Sequence, residues 1–215
     1  MTLRIQYGGS FDPVHSGHLA VARAARDRLR GDVWLMPAAD PPHKPPTAAT
    51  AEARREMLEL AVAGHAGLHV DDRELRRAGP SWTIDTLRGM RAELGDARPI
   101  ALLLGADSFL GLPGWREWES LLAHAHVVVA ERPGSVIDPE ALPEPLAAHA
   151  RGRWRESMRA LHAKPAGLLL RLRLPLRPES SSELRRRIGA GEPWREWVPP
   201  TVAEYISRHR LYGAS

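Results

Sequence analysis

Residues 3–18, LRIQYGGSFDPVHSGH, form the stretch that decides how this chain begins to fold. Apolar residues alternate with polar ones over 3–7 and predict a short strand that ends at a pair of glycines. A helix is predicted over 16–30, where apolar residues recur at helical spacing. Glycines between a strand and a helix let the backbone approach an anion, and the helix N-terminus adds unpaired N–H groups and a charge of about +0.5. Three residues of this turn are expected to contact a phosphate: Gly8, Gly9 and Ser10.

Two histidines, His15 and His18, lie three positions apart where that helix begins. Gly17 between them removes a side chain that would crowd a ligand. Imidazoles in this position suit the stabilisation of a transferring phosphoryl group, because catalysis there consists mainly of positioning and electrostatics. A shared metal ion is an alternative. Since the chain has no cysteine and no second histidine cluster is evident, we expect no metal ligands from the protein.

Strands and helices alternate along the rest of the chain. Further strands are predicted at 33–36, 68–70, 100–104, 127–129 and 168–174, and further helices at 51–63, 81–94 with Ser81 as N-cap, 115–123, 180–189 and 200–208. Such alternation predicts an α/β fold with a mostly parallel sheet flanked by helices, and a ligand at the carboxyl ends of its strands. We expect one domain over 1–215, with a small C-terminal helical part from about residue 180. The proline-rich segment 37–46 is predicted to be a loop, whereas 138–165 has no clear pattern.

The composition excludes several classes of protein. The chain has 215 residues, of which 43% are hydrophobic and 26% charged, as in ordinary globular proteins. The lack of cysteine excludes disulfides and thiolate metal sites and is compatible with a reducing compartment. No signal peptide is evident, and the longest apolar runs, 100–104 and 166–170, are too short to cross a bilayer. We therefore expect a cytoplasmic protein that does not bind membranes.

The positive charge is compatible with two kinds of partner. A formal net charge of +4 and an isoelectric point of about 10.1 would suit either nucleic acid or an anionic small molecule. The arginines are spread along the chain, and their densest group, Arg185–Arg187, lies in a predicted helix. This distribution favours a solvated helix face or a phosphate site, and we expect no nucleic-acid partner.

Residues 8–18, GGSFDPVHSGH, resemble the GG(T/S)FDPxHxGH signature of bacterial nicotinate mononucleotide adenylyltransferases, a family within the HxGH nucleotidylyltransferase superfamily. Six further blocks resemble motifs of this family in its own order: PPHK at 41–44, SWTIDTL at 81–87, LGADS at 104–108, LPGW at 112–115, RPG at 132–134 and SSSELR at 180–185. The HxGH motif alone would indicate only the superfamily. The later blocks indicate the family.

The resemblance implies a Rossmann-like nucleotidyltransferase fold and transfer of the adenylyl group of ATP to nicotinate mononucleotide, in NAD biosynthesis. It implies direct in-line attack without a covalent intermediate, and Mg²⁺ that accompanies ATP. The residues it implies for catalysis are His15, His18, Lys44 and Arg185. Those for ATP binding are Gly8, Gly9, Ser10, His15, His18, Gly105, Asp107, Ser181, Ser182 and Arg185. Those for nicotinate mononucleotide are Lys44, Thr83, Asp107, Trp115, Arg116 and Arg132.

Several of these residues have a purely structural interpretation as well. Ser180 and Glu183 have the spacing of a helix capping box, which would occupy both side chains. Lys44 could be a solvated loop lysine, and Trp115 could belong to the core. The residues are also compatible with two other functions. One is a transferase for nicotinamide mononucleotide or phosphopantetheine, and the other is a non-catalytic module that binds nucleotides or nucleic acid.

The chain departs from the family pattern at four positions: Trp82 for tyrosine, Arg116 for an aromatic residue, Glu179 for isoleucine and Ser182 for threonine. Arg116 places a positive charge near the implied carboxylate pocket. That charge would favour nicotinate over the neutral nicotinamide.

Overall fold

The computed structural model describes residues 1–39, 47–131, 134–175 and 177–214. Its strands form one seven-stranded sheet: β1 Leu3–Gly9, β2 Gly31–Pro37, β3 Leu68–Val70, β4 Ile100–Gly105, β5 His126–Glu131, β6 Trp154–Arg155 and β7 Leu169–Arg173. The order is β3-β2-β1-β4-β5-β7-β6, and every neighbouring pair is parallel. The predicted α/β fold with its parallel sheet is therefore confirmed.

Helices connect these strands and cover the sheet. The α-helices are α1 Ser16–Leu29, α2 Ala51–Val62, α3 Thr83–Leu94, α4 Ala106–Leu110, α5 Leu121–His124, α6 Leu146–Ala150, α7 Ala160–Ala163, α8 Ser181–Gly189 and α9 Pro200–Arg208. Short 3₁₀ turns lie at Leu112–Gly114, Trp118–Ser120, Arg195–Trp197 and Leu211–Gly213. Since β1 has β2 on one side and β4 on the other, the chain changes direction across the sheet at this pair. Ligands of open α/β sheets bind at such a switch point.

Alternation along β4 divides the core between the two faces of the sheet. Ala101 and Leu103 belong to a buried cluster that includes residues of α1, α2, α8 and α9. Ile100, Leu102 and Leu104 point to the opposite face, where they join residues of α3, α4, α5 and α6. This period of two is what the pleat of a strand imposes, and burial on both faces explains the unbroken apolar run.

The C-terminal helices complete the first of these clusters. Leu184 of α8 and Ile206 of α9 are fully buried there, and α9 packs against α2. The helical character predicted from about residue 180 onwards is thus observed. A boundary between two parts of one domain near that residue stays a prediction.

Two local predictions differ from the structure, and one segment without a prediction contains regular elements. Trp82, not Ser81, is the N-cap of α3, and the Ser81 hydroxyl donates instead to the carbonyl of Glu74 (3.3 Å). The helix predicted over 115–123 is a 3₁₀ turn followed by α5, because Glu117 has a left-handed φ of 50° that interrupts a helix. The segment without a clear pattern, 138–165, contains α6, β6 and α7.

A buried ion pair fixes the chain that leads from β3 toward α3. Arg4 of β1 donates to the Asp71 carboxylate (2.6 Å), and both side chains are only 6% exposed. The Arg4 guanidinium also lies 3.6 Å from the ring centroid of Trp34. Further on, the buried Glu74 accepts a hydrogen bond from Thr86 of α3 (2.8 Å). These contacts fix the segment between β3 and α3 to β1 at one end and to α3 at the other.

Candidate active site

The loop between β1 and α1 (residues 10–15, called the β1–α1 loop below) makes a tight turn over an aromatic ring. Phe11 is fully buried and has a left-handed φ of 46°. Its ring packs edge-on against Tyr7 (5.6 Å between centroids) and His18 (4.9 Å). A Cβ on Gly9 would lie 3.1 Å from the same ring, so a larger residue there would crowd it. Gly9 therefore has a packing role besides the predicted approach to phosphate.

His15 and His18 cap α1 reciprocally. The His18 N–H donates to Nδ1 of His15, and the His15 N–H donates to Nδ1 of His18, both over 3.3 Å. The rings stack with centroids 3.7 Å apart, and a Cβ on Gly17 would come within 3.0 Å of His15 Nδ1. Because each Nδ1 accepts a hydrogen bond, the proton of each neutral ring is on Nε2. The pair therefore presents two Nε2–H donors on the ring edges that point away from the helix backbone.

Both imidazoles favour the neutral form. Burial, with the positive charge of Arg177, lowers the pKa of His15 to about 4. Burial, with the neighbouring His15, also holds the pKa of His18 well below its ordinary value of 6.5. An anionic ligand would act in the opposite direction, since a nearby negative charge favours the protonated form.

The depressed pKa of His15 predicts that the protein loses stability in mild acid. The unfolded chain takes up a proton on this histidine near pH 6.5 and the folded chain only near 4, so stability falls across that interval and is fully present above it. The His15 contribution amounts to about 3 kcal/mol. His15→Asn keeps a good N-cap acceptor without a titrating group. We therefore expect the free energy of unfolding of this variant to depend less steeply on pH than that of the wild type.

The measurement is the free energy of unfolding by urea at a series of pH values between 4 and 7. Other buried histidines, such as His126, contribute to the slope in both proteins. The difference between the two curves therefore reports His15 together with its electrostatic effect on the stacked His18. Parallel curves would show that the folded protein does not hold this ring neutral.

A cleft of about 310 Å³ opens at the carboxyl ends of β1, β4, β5 and β7. Five residues predicted to bind ATP line it: His15, His18, Gly105, Asp107 and Ser181. Its other walls contain the apolar side chains of Val21, Leu174 and Pro175. The structure thus combines two histidine donors, an exposed carboxylate at Asp107 and an apolar surface in one cavity, as a nucleotide would require.

The start of α8 reaches the site from the other side. The Ser181 hydroxyl donates to the carbonyl of Pro13 (3.0 Å), and Arg185 donates to the carbonyl of Asp12 (2.5 Å). Both side chains therefore bind the β1–α1 loop, while Ser182 is exposed. Ser180 forms only half of the predicted capping box: it accepts from the Glu183 N–H (3.2 Å), and the Glu183 carboxylate pairs with Arg186 (2.8 Å) instead.

Of the residues predicted for the pyridine nucleotide, Asp107 lines this cleft, whereas Thr83, Trp115 and Arg116 are not part of its wall. Thr83 is the first residue of α3, and Trp115 is half-buried against the second core cluster. The Arg116 guanidinium lies 5.7 Å from the ring centroid of Trp82. Predictions for Lys44 and Arg132 fall on residues outside those that the structure describes. Gly8, Gly9 and Ser10 are half-buried in the turn itself, and the cleft wall does not include them.

Sequence reasoning missed an ion pair in the cleft wall. Arg177 donates to Glu179 (2.7 Å), whose side chain is only 8% exposed, whereas that of Arg177 is 43% exposed. Both line the cleft, as does the buried Glu131 at the end of β5. The only signal in the sequence was the unusual Glu179 before the serines. It did not indicate that Arg177 would lie close enough to His15 to act on it electrostatically.

The described residues offer neither a cluster of metal ligands nor a helix that could span a membrane. In 1–39, 47–131, 134–175 and 177–214, no three or more histidine, aspartate or glutamate side chains are grouped so that they could hold a metal ion. In the same ranges, each helix is too short or too polar to span a bilayer.

Residues 6–187 match the model of the cytidylyltransferase-like family. The fold and the HxGH cleft thus define the class: the chain is a nucleotidyltransferase of this group. Relatives narrow the class. Proteins named "probable nicotinate-nucleotide adenylyltransferase" are 55% identical in Stenotrophomonas maltophilia and 44% identical in Xylella fastidiosa, in each case over 99% of this chain and 97% of the relative. The chain belongs to the nicotinate-nucleotide adenylyltransferase family.

Solved structures agree on the fold. A Plasmodium falciparum nicotinic acid mononucleotide adenylyltransferase complexed with NaAD superposes with a TM-score of 0.72 at 18% identity, covering 100% of this chain and 99% of the other. The same enzyme complexed with APC gives a TM-score of 0.70. The Rossmann-like nucleotidyltransferase fold is therefore confirmed.

Proposed function

We propose that this chain transfers the adenylyl group of ATP to nicotinate mononucleotide, giving nicotinate adenine dinucleotide and pyrophosphate. The observation that carries the proposal is the reciprocal histidine cap in the wall of the cleft, which uses each Nδ1 and leaves both Nε2–H groups for phosphate oxygens. The names of the close relatives support the choice of substrates.

The reaction needs no protein nucleophile. A phosphate monoester has its second pKa near about 6, so the phosphate of nicotinate mononucleotide is largely dianionic at neutral pH. One of its oxygens attacks the α-phosphorus of ATP, the bond from that phosphorus to the bridging oxygen breaks, and pyrophosphate leaves. His15 and His18 donate hydrogen bonds to the oxygens on which negative charge grows. Arg177, the half-exposed cation nearest His15 in the cleft wall, would contact the leaving phosphates.

The remaining polar residues of the cleft would orient ATP. Asp107 suits the ribose hydroxyls, because a carboxylate accepts their hydrogen bonds and repels phosphate. Gly105 leaves the end of β4 open for the sugar. Ser181 and Arg185 already bind carbonyls of the β1–α1 loop, so we assign them chiefly to fixing the phosphate site. Lys44 and Arg132 remain proposals for phosphate contact from the family resemblance alone.

The pyridine nucleotide would bind beyond the histidines, toward the start of α3. The first-turn N–H groups of α3, beginning at Thr83, can receive a carboxylate, as helix N-termini do. Trp115 would stack on the pyridine ring. Arg116, exposed and near Trp82, adds a positive charge that favours nicotinate over nicotinamide.

Magnesium fits this site as a companion of ATP. The described residues offer no cluster of metal ligands, which suits a hard cation that keeps phosphate and water oxygens as its ligands. When bound, the ion neutralises phosphate charge and eases the departure of pyrophosphate.

The experiment that tests the proposed function is pyrophosphate release from Mg-ATP with three acceptors: nicotinate mononucleotide, nicotinamide mononucleotide and phosphopantetheine. We expect release with nicotinate mononucleotide and little with the other two. Equal release with both pyridine nucleotides would leave the reaction standing and refute selection by Arg116. No release from folded protein with any acceptor would refute the proposed function.

Trp115→Ala is expected to raise the KM for nicotinate mononucleotide and to leave the KM for ATP nearly unchanged. Stacking on an aromatic ring contributes about 1–3 kcal/mol, so the increase should be about tenfold. Trp118→Ala is the matched control, since Trp118 contacts His149 (4.9 Å between centroids) outside the proposed pocket. Steady-state kinetics with each substrate varied in turn give the result. Similar increases for both substrates, or for both variants, would exclude the stacking role.

A further inference from the structure

We propose that Tyr212, in the last turn of the described chain, is a positioning residue for adenylyl transfer: it binds Asp12 and thereby fixes the β1–α1 loop that carries the catalytic histidines. The catalytic part of this proposal rests on the proposed function. The structural part, that Tyr212 sets the geometry of the His15–His18 pair, does not.

Asp12 is the meeting point of four parts of the chain. The Tyr212 hydroxyl donates to its Oδ1 (2.8 Å). The N–H groups of Ala48 and Ala49, just before α2, donate to Oδ2 (2.7 Å) and Oδ1 (3.1 Å). Arg185 of α8 lies 3.8 Å from Oδ2 and donates to the Asp12 carbonyl (2.5 Å). With only 3% of Asp12 exposed, these contacts replace water around the carboxylate.

Other contacts fix the carbonyls on either side of Asp12. Arg54 of α2, fully buried, donates to the carbonyl of Ser10 (2.9 Å), and Ser181 donates to that of Pro13 (3.0 Å). The β1–α1 loop is therefore bound by α2, α8 and the C-terminal turn together. His15 lies only three positions after Asp12, so a shift of Asp12 displaces the cap and both rings.

The backbone on both sides of the Tyr212–Asp12 bond is strained. Phe11, next to Asp12, has φ 46°, and Arg210 and Tyr212 have φ 49° and 59°. Residues other than glycine rarely adopt this left-handed region, and they persist there only when surrounding contacts determine the conformation. Two such residues within three positions bring the Tyr212 ring inward, against α8 and toward Asp12. The strain at both ends indicates that this hydrogen bond holds a geometry that the local sequence would not adopt by itself.

The charges around the bond keep Tyr212 a donor. Burial and the negative charge of Asp12 raise the pKa of the Tyr212 phenol, while the nearby Arg185 and Arg54 act in the opposite direction. The phenol therefore stays protonated at neutral pH. Tyr212 has a constant positioning effect and is not a pH switch.

The test compares Tyr212→Phe with Tyr205→Phe. Each variant loses one hydroxyl from the C-terminal helical part, but Tyr205 stacks on His209 (4.2 Å between centroids), away from the loop. We expect Tyr212→Phe to lower kcat about tenfold, because small displacements of catalytic groups have large effects on rate, and to change the KM for ATP less than twofold. We also expect the ¹⁵N shifts of Nδ1 in His15 and His18 to move, while Tyr205→Phe leaves kcat and the shifts as in wild type.

A variant of Asp12 and a double-mutant cycle between Asp12 and Tyr212 complete the test. Asp12→Ala removes both carboxylate oxygens, and with them the acceptor of the Tyr212 hydroxyl, so it should reproduce the loss of kcat and the spectral change. It takes the place of Tyr212→Phe if that variant melts below the assay temperature. In the double variant the two losses should not add, because both remove the same interaction.

Additive losses would overturn the proposal. So would a Tyr212→Phe variant that is less stable but has wild-type kcat and unshifted imidazole signals, since a merely structural tyrosine would behave in that way. If wild-type protein itself released no pyrophosphate, the proposed function would fail, and the imidazole shifts would still decide whether Tyr212 positions the histidines.

Discussion

Replacing His18 by alanine should lower kcat by about 10²–10³ while the Kd for Mg-ATP changes only a few-fold. The His18 ring stacks on His15 and presents Nε2–H to the cleft. A donor aimed at charge that develops in the transition state contributes mainly to kcat, because it gains strength only as the reaction proceeds. The measurement combines single-turnover kinetics with equilibrium binding of ATP.

His18→Asn separates catalysis from capping. An asparagine oxygen can take the place of Nδ1 and accept from the His15 N–H, but it supplies no group at the position of Nε2. We expect this variant to lose as much kcat as alanine while retaining more of the wild-type melting temperature. If asparagine restored turnover, the His18 ring would act as a helix cap and not as a catalytic donor.

Arg54→Met should lower the free energy of unfolding by about 4 kcal/mol, the largest effect on stability that we expect from a residue outside the hydrophobic core. The Arg54 guanidinium is fully buried and donates to the carbonyls of Ser10 (2.9 Å) and Ala38 (2.8 Å). Each buried carbonyl left without its donor costs about 1–3 kcal/mol. Methionine fills similar space but donates nothing.

Arg55→Met is the matched control on the same helix. Arg55 pairs with Glu52 and Glu59 at the surface, where such pairs contribute about 0–1 kcal/mol. Urea denaturation of both variants and the wild type gives the comparison. A loss for Arg54→Met no greater than that for Arg55→Met would mean that the two loops do not depend on the buried guanidinium.

Local sequence patterns predicted the strands of the sheet and the part of the site formed by the β1–α1 loop and the end of β4. Period-two alternation and apolar runs indicated all strands except the two-residue β6, since strands of a central sheet bury both faces and need such residues. The glycine turn with His15 and His18 indicated a phosphate site, and the structure places both rings in a cleft with Gly105 and Asp107. These residues are close in sequence or follow predicted strands, so the topology of a parallel sheet is enough to bring them together.

Contacts between distant segments were beyond sequence reasoning. Tyr212 binds Asp12 across 200 positions, and Arg54 reaches Ser10 across 44. No periodic pattern in the sequence predicts such pairs, because they depend on how distant loops pack against one another. Ser181 and Arg185 show the same limit: their motif indicated phosphate, whereas in the structure they donate to backbone carbonyls.

The reciprocal cap makes the N-terminus of α1 a part of this fold that is sensitive to acid. An imidazole protonated on Nδ1 can no longer accept a backbone N–H, so proton uptake by His15 or His18 releases the first turn of α1. Amide hydrogen exchange at residues 15–19 should therefore accelerate at a pH where the central strands remain protected. Acid inactivation would then begin as fraying of one helix end, a local opening well below the free energy of global unfolding.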